Sequence, residues 1–148
     1  MAITASGLFG LTLEKMLIDT AGESLEAEDN MLALISDSAT PNFDTMEFWE
    51  DLVANEVTGT GWSAGGVALT GTELTVSSGV LVFDAADVEA ENTTISNAMA
   101  AVLRTNVGTN ATDQLVFLAD FVNPVSTSNG TFGIAWDATG IFRIDYTP

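Results

Sequence analysis

Two textures of apolar and polar residues meet near Glu56. Before it, Leu8, Leu11 and Met16 fall at helical spacing. Residues 8–19 are apolar nearly all round, which predicts a helix packed on the body of the protein. Residues 21–30 read as an acidic loop. The apolar run 31–35 and the turn formers at 36–42 bracket a buried strand. Asp44 or Thr45 is placed to cap a short helix through Met46, Phe48, Trp49, Leu52 and Val53, with Glu47 or a neighbour completing a capping box.

After Glu56 the chain breaks into segments of about five to eight residues rich in Val, Ile, Thr and Phe, punctuated by glycine and asparagine. Strands are predicted at 57–62, 67–70, 74–77, 80–83, 98–104, 115–121, 131–136 and 141–146. In the last two, Phe132, Ile134 and Trp136 alternate with small residues, and Phe142, Ile144 and Tyr146 alternate with Arg143 and Asp145. With Asp137-Ala138-Thr139-Gly140 as a tight connection, this predicts a terminal hairpin whose large side chains enter one core. The expected fold is mainly β: an antiparallel β-sandwich or barrel-like domain over 1–148, with one N-terminal helix and one short helix. Residues 1–7 are expected as an arm that orders on docking, or as a frayed terminus.

Composition narrows the function more than the fold. The 148 residues suit one domain, and 47 % hydrophobic content with a mean hydropathy of +0.30 excludes an acidic disordered tail. There is no cysteine and no histidine, so disulfides, thiolates and the usual proton shuttle are absent. Three Lys+Arg against 21 Asp+Glu give a net charge of −18. Such a surface repels phosphate, so no nucleic-acid partner and no anionic membrane surface is expected. It favours solubility, tolerance of salt, or docking on a basic partner surface. Residues 1–7 carry no basic region, and no apolar run approaches a membrane span, so neither a leader nor a membrane segment is expected.

The candidates for chemistry are few. The cations are Lys15, Arg104 and Arg143. Lys15 reads as a surface lysine lying along an apolar helix rather than a base for a serine nucleophile. Arg104 and Arg143 fall in predicted strands and read as cross-strand ion pairs or inter-subunit contacts. Glu47 with Glu50, and Glu89 with Glu91, are neighbouring carboxylates without a sugar platform around them, and read as solvated faces. Asp84 and Asp87, followed by Glu89 and Glu91, form the densest oxygen cluster, but lack the spacing and glycine of an EF-hand loop. The sequons at Asn92, Asn110 and Asn129 read as turn-and-strand composition. The glycines around Thr58–Trp62 and Ala64–Gly66 lack the strand–helix setting and positive charge of a phosphate cradle. Catalytic, cofactor-binding and metal residues are all expected to be none, and no cofactor is expected.

Five phrases carry a resemblance: Thr40-Pro41-Asn42-Phe43-Asp44-Thr45; Asn55-Glu56-Val57-Thr58-Gly59-Thr60-Gly61-Trp62 with Ala64-Gly65-Gly66; Phe83-Asp84-Ala85-Ala86-Asp87-Val88; Ser128-Asn129-Gly130-Thr131-Phe132; and Trp136-Asp137-Ala138-Thr139-Gly140-Ile141-Phe142. In order and spacing, over about residues 8–146, they resemble small structural proteins of tailed bacteriophages, labelled capsid decoration, minor capsid or minor tail proteins. Where that family often has an aromatic after its Asp-Asp-Val-like phrase, this chain has Glu89-Ala90-Glu91. The resemblance implies a non-enzymatic virion protein on the outer surface of the capsid, bound to the major capsid protein and forming a homo-oligomer. The alternatives are a minor tail or fibre-associated protein, and a carbohydrate-binding β-sandwich using Trp49, Trp62 or Trp136, with Trp62 the best exposed candidate.

Overall fold

The structure is a computed structural model that describes residues 3–18 and 24–147. In chain order the elements are β1 (Gly7–Leu8), α1 (Gly10–Leu17), β2 (Met31–Ser36), β3 (Glu56–Val57), β4 (Val67–Ala68), β5 (Glu73–Ser77), β6 (Val80–Asp84), β7 (Val88–Arg104), β8 (Leu115–Ile134) and β9 (Phe142–Asp145). They build two antiparallel sheets, and neither closes into a barrel. The larger runs β1-β8-β7-β2-β3, with β4 pairing the same edge of β2 beyond β3; the smaller runs β5-β6-β9.

Both faces of the larger sheet are covered, and the strand sequences show why. Along β2, Leu32 and Leu34 point into one core while Ala33 and Ile35 point into a second. Along β7, Ala101 and Leu103 join the first and Ala100 and Val102 the second. A strand buried on both faces reads as a continuous apolar run rather than an alternation. The first core lies between the sheets, where Phe83 of the smaller one shares a cluster with Leu34, Leu103 and Phe117. The second is roofed by Ile3, Phe9, Trp49 and Leu52. A bulge at Val116, between the pairs Leu103↔Phe117 and Arg104↔Leu115, turns Val116 and Phe117 to the same core.

The structure corrects several of the predicted elements. The terminal hairpin does not form: residues 131–134 end β8 in the larger sheet, whereas β9 pairs with β6 in the smaller. The turn itself is present, with Gly140 N–H donating to Asp137 O (2.9 Å), but it leads across the core, where Ile141 N–H bonds Phe83 O (2.8 Å). Alternation predicts a strand's faces and says nothing of its partner. Tyr146 accordingly lies outside the strand and 54 % exposed.

The short helix is two single 3₁₀ turns, Trp49–Asp51 and Val53–Asn55. Phe48 bridges Gln114, and Trp49 N–H bonds Asp113 O (2.8 Å), so the larger sheet draws this backbone out of a helix. The cap is Asp51, whose Oδ2 accepts from Glu47 N–H (3.0 Å) and Phe48 N–H (3.2 Å). The N-terminal arm is anchored over its described part. Ile3 is 1 % exposed, its N–H bonds Asp37 Oδ1 (3.2 Å), and Gly7 pairs with Leu118. Met1 and Ala2 lie outside the described residues. The separate strands expected at 98–104, 115–121 and 131–136 belong to β7 and β8, whose length was hidden by polar stretches between the apolar runs.

The predicted helix is present but shorter, because Leu8 is spent on pairing with Phe117. Asp19 and residues 21–23 of the expected acidic loop lie outside the described residues. The remaining segment makes turns tied to the start of β5, with Leu74 N–H donating to Glu26 Oε1 (3.0 Å).

Candidate functional site

Two of the three cations serve the fold. Lys15 pairs with Glu47 and stands 5.1 Å from the centroid of the Phe48 ring, fastening α1 to the segment over the second core. Arg104 forms its ion pair with Asp113 of the loop after β7, rather than across the sheet. Their side chains are 7 % and 5 % exposed. Arg104 also donates to Gly65 O and Thr105 O (both 3.1 Å) and lies over the Trp49 ring. Asp113 Oδ1 accepts from Val107 N–H (2.9 Å) and Gly108 N–H (3.2 Å), closing the loop on itself. Beside this pair, burial pushes the Glu56 carboxyl above its usual range, against the opposing pull of Gly65 N–H and Arg104. Arg143 is exposed on β9, opposite Val82.

The carboxylates singled out in the sequence are not gathered. Asp84 Oδ1 accepts from Ala85 N–H (2.9 Å) and Asp87 Oδ1 from Trp136 N–H (2.9 Å). Glu89 and Glu91 project from β7 and not from a loop, alternating with Val88 and Ala90. Among the described residues no group of three acidic side chains is placed to hold a metal ion. Hydrogen bonds from the Thr139 hydroxyl and N–H lower the pKa of Asp137, the residue that fixes the turn toward β9.

The tryptophans correct the expected exposure of Trp62. Trp62, the best candidate of the carbohydrate reading, is 0 % exposed and packs edge-on against Phe132 at 5.2 Å. The glycines around it allow close backbone contact, for a Cβ on Gly59 would overlap the Thr94 carbonyl. Trp49 is 1 % exposed. Only Trp136 is part-exposed, with its Nε1–H given to Ala86 O (3.1 Å).

The described residues line two larger surface depressions. One, of about 300 Å³, separates α1 from the smaller sheet and is lined by Leu13, Met16, Leu74, Leu81 and Ile144, with the buried Thr12 hydroxyl lacking a partner. The other, of about 420 Å³, runs from Gly7 and Phe117 to Trp136 and Arg143. Neither collects an acid–base pair or a nucleophile with its base.

The surface feature that sequence reading missed is a ribbon of uncharged polar residues where 92–97 of β7 pair with the second half of β8, bordered by Glu91 and Asp120. No charged residue occurs in 92–103 or 121–136. Its register slips repeatedly, between Ala90 and Thr93, Thr93 and Ile95, Ile95 and Ala98, and Ala98 and Ala100. Hydroxyls fill the gaps: Thr93 Oγ1 meets Thr127 Oγ1 (2.7 Å) and donates to Gly130 O (3.0 Å), while Thr94 Oγ1 accepts from Asn129 N–H (3.0 Å). Asn92, Asn97 and Asn129 adopt left-handed backbone at these slips, so the first and last of the predicted sequons are fold positions. The signal lay in the charge pattern, for 92–103 and 121–136 are two of the long uncharged stretches in an acidic chain, 57–72 being another.

No family model, curated protein or solved structure matches the chain. Among the described residues no helix is long and apolar enough to cross a membrane.

Proposed function

We propose that this chain is a non-enzymatic structural protein of a tailed-bacteriophage virion, binding the major capsid protein on the outside of the shell and decorating or stabilising it. The observation that supports this best is the work done by four of the five phrases of the resemblance. Phe43 packs on Phe9 at 5.1 Å, Gly59 and Trp62 seat a loop on β7, Asp87 holds Trp136, and Asp137 sets the crossing into β9. The likeness therefore falls on the joints of the fold, as expected where shape is the shared property.

Charge gives the proposal its direction. At −18 the chain is repelled by packaged DNA and drawn to basic patches on a protein shell, which favours the outside. Cryo-electron microscopy of intact particles with the protein located by labelling tests this. Copies spread over the shell are expected. Copies confined to the tail would establish the minor-tail alternative instead, and absence from particles, or a place only inside the head, overturns the reading.

A further inference from the structure

We infer that the depression between α1 and the smaller sheet binds a neutral alkyl alcohol of about ten carbons, seated with its hydroxyl on Thr12. The first observation is the wall. Along α1 it deepens from Leu17, 79 % exposed, past half-buried Met16 to Thr12, 1 % exposed. Leu74, Leu81 and Ile144 face α1 from the three strands of the smaller sheet. An apolar cavity of about 150 Å³ stays dry and takes benzene. At about 300 Å³ this one has room for about ten carbons.

The second observation is a polar atom in that apolar setting. A threonine inside a helix can turn its hydroxyl back to the carbonyl one turn before. The Thr12 hydroxyl is buried and makes no hydrogen bond. Such a group is costly, and a valine of the same shape would avoid the cost. Because it can both donate and accept, it suits a single alcohol oxygen.

The third observation is charge. No charged residue is among those lining the depression, so an ionised head placed on Thr12 would be buried without a counter-ion. At the rim Glu26 Oε1 accepts from Leu74 N–H (3.0 Å), and Glu73 is exposed next to Leu74. The cations are engaged or placed elsewhere: Lys15 on Glu47, Arg104 on Asp113, Arg143 in the lining of the other depression. A fatty-acid carboxylate therefore meets acids at the mouth and no partner within.

This site is independent of the virion reading, because the purified chain is all it needs. Calorimetric titration of the full chain with 1-octanol is expected to show saturable binding. Octanoate and octylammonium, which carry the same chain, should bind at least about tenfold more weakly at neutral pH. Thr12→Val keeps the shape and removes the hydroxyl. It should weaken octanol about fivefold, leave butylbenzene unchanged, and raise the Tm of the chain alone by about 2–4 °C. Met16→Trp, which fills the groove, should abolish binding of both. Absence of saturable octanol binding overturns the inference. So does an octanol affinity that Thr12→Val leaves unchanged, a charged head that binds as tightly, or binding that survives in folded Met16→Trp.

Discussion

The two ends of β7 solve the same pairing problem in opposite ways. From Ala98 to Arg104 every residue is buried, the strand is flanked by β2 and β8, and both faces meet apolar cores. From Val88 to Asn97 only Thr93 and Ile95 are buried, and repeated register shifts are bridged by threonine and serine hydroxyls. The first end is specified by volume, because a one-residue slip would exchange two different sets of neighbours. The second is specified by hydrogen bonds at particular bulges, and so can remain irregular and open to solvent. A rigid body and an adaptable surface thus share one strand.

The sharpest test of that contrast is at the closed end, where the Arg104–Asp113 pair is buried beneath Trp49. Asp113→Ala leaves the guanidinium without its counter-charge and strips the acceptor from Val107 N–H and Gly108 N–H. The expected cost is about 3–5 kcal/mol in urea unfolding. Asp113→Asn, which keeps an acceptor, should cost less, and Arg104→Met with Asp113→Asn should recover much of the loss. A cost below about 1 kcal/mol, the level of an exposed pair, would erase the distinction between the two ends.

Much of the closed end was legible in the sequence. The runs 31–35 and 98–104 read as strands from their apolar character, and the antiparallel, mainly β class followed from the spacing of such segments. The pairing of β9 was not legible. Phe142 and Ile144 alternate as a strand should, yet their partner is set by the path across the core, where Phe142 stacks on Phe83 at 5.1 Å. The 3₁₀ turns were hidden for the same reason: helical spacing at Phe48, Trp49 and Leu52 yields to a bridge with Gln114. At the candidate surface, net charge was plain but its distribution was not. Residues 92–97 and 121–131 are separated in sequence, and only the pairing of β7 with β8 places them side by side.

The open end is tested by a smaller perturbation. Thr93 is 0 % exposed, and Val preserves its shape while removing both hydrogen bonds of its hydroxyl. Thr93→Val is expected to cost about 1–2 kcal/mol, from Gly130 O and Thr127 Oγ1 left short of a partner. Because Thr127 Oγ1 also accepts from Ile95 N–H, Thr127→Val removes some of the same bonds. The double variant should therefore lose less than the sum of the single ones. Additive losses, or no loss, would mean that packing rather than hydroxyl bridging fixes this register.

The smallest expected effect separates two carboxylates by sign. Burial raises the Glu56 pKa above 4.5, so the folded chain holds this proton more tightly than the unfolded one. The resulting stabilisation is full below pH 4.5 and is lost as pH rises through the folded pKa. Asp137 is the reverse: the Thr139 hydrogen bonds lower its pKa from 3.8, so its contribution is present above that pH and lost as pH falls through the folded value. Glu56→Gln retains an oxygen for Gly65 N–H without the cost of a half-buried charge. Its stability relative to wild type should therefore rise with pH from 4.5 and then level off. Asp137→Asn should fall relative to wild type as pH rises from strongly acid values toward neutral. Parallel pH profiles for the two variants, measured as urea midpoints, would mean that the closed and open parts of this molecule do not treat a carboxylate differently.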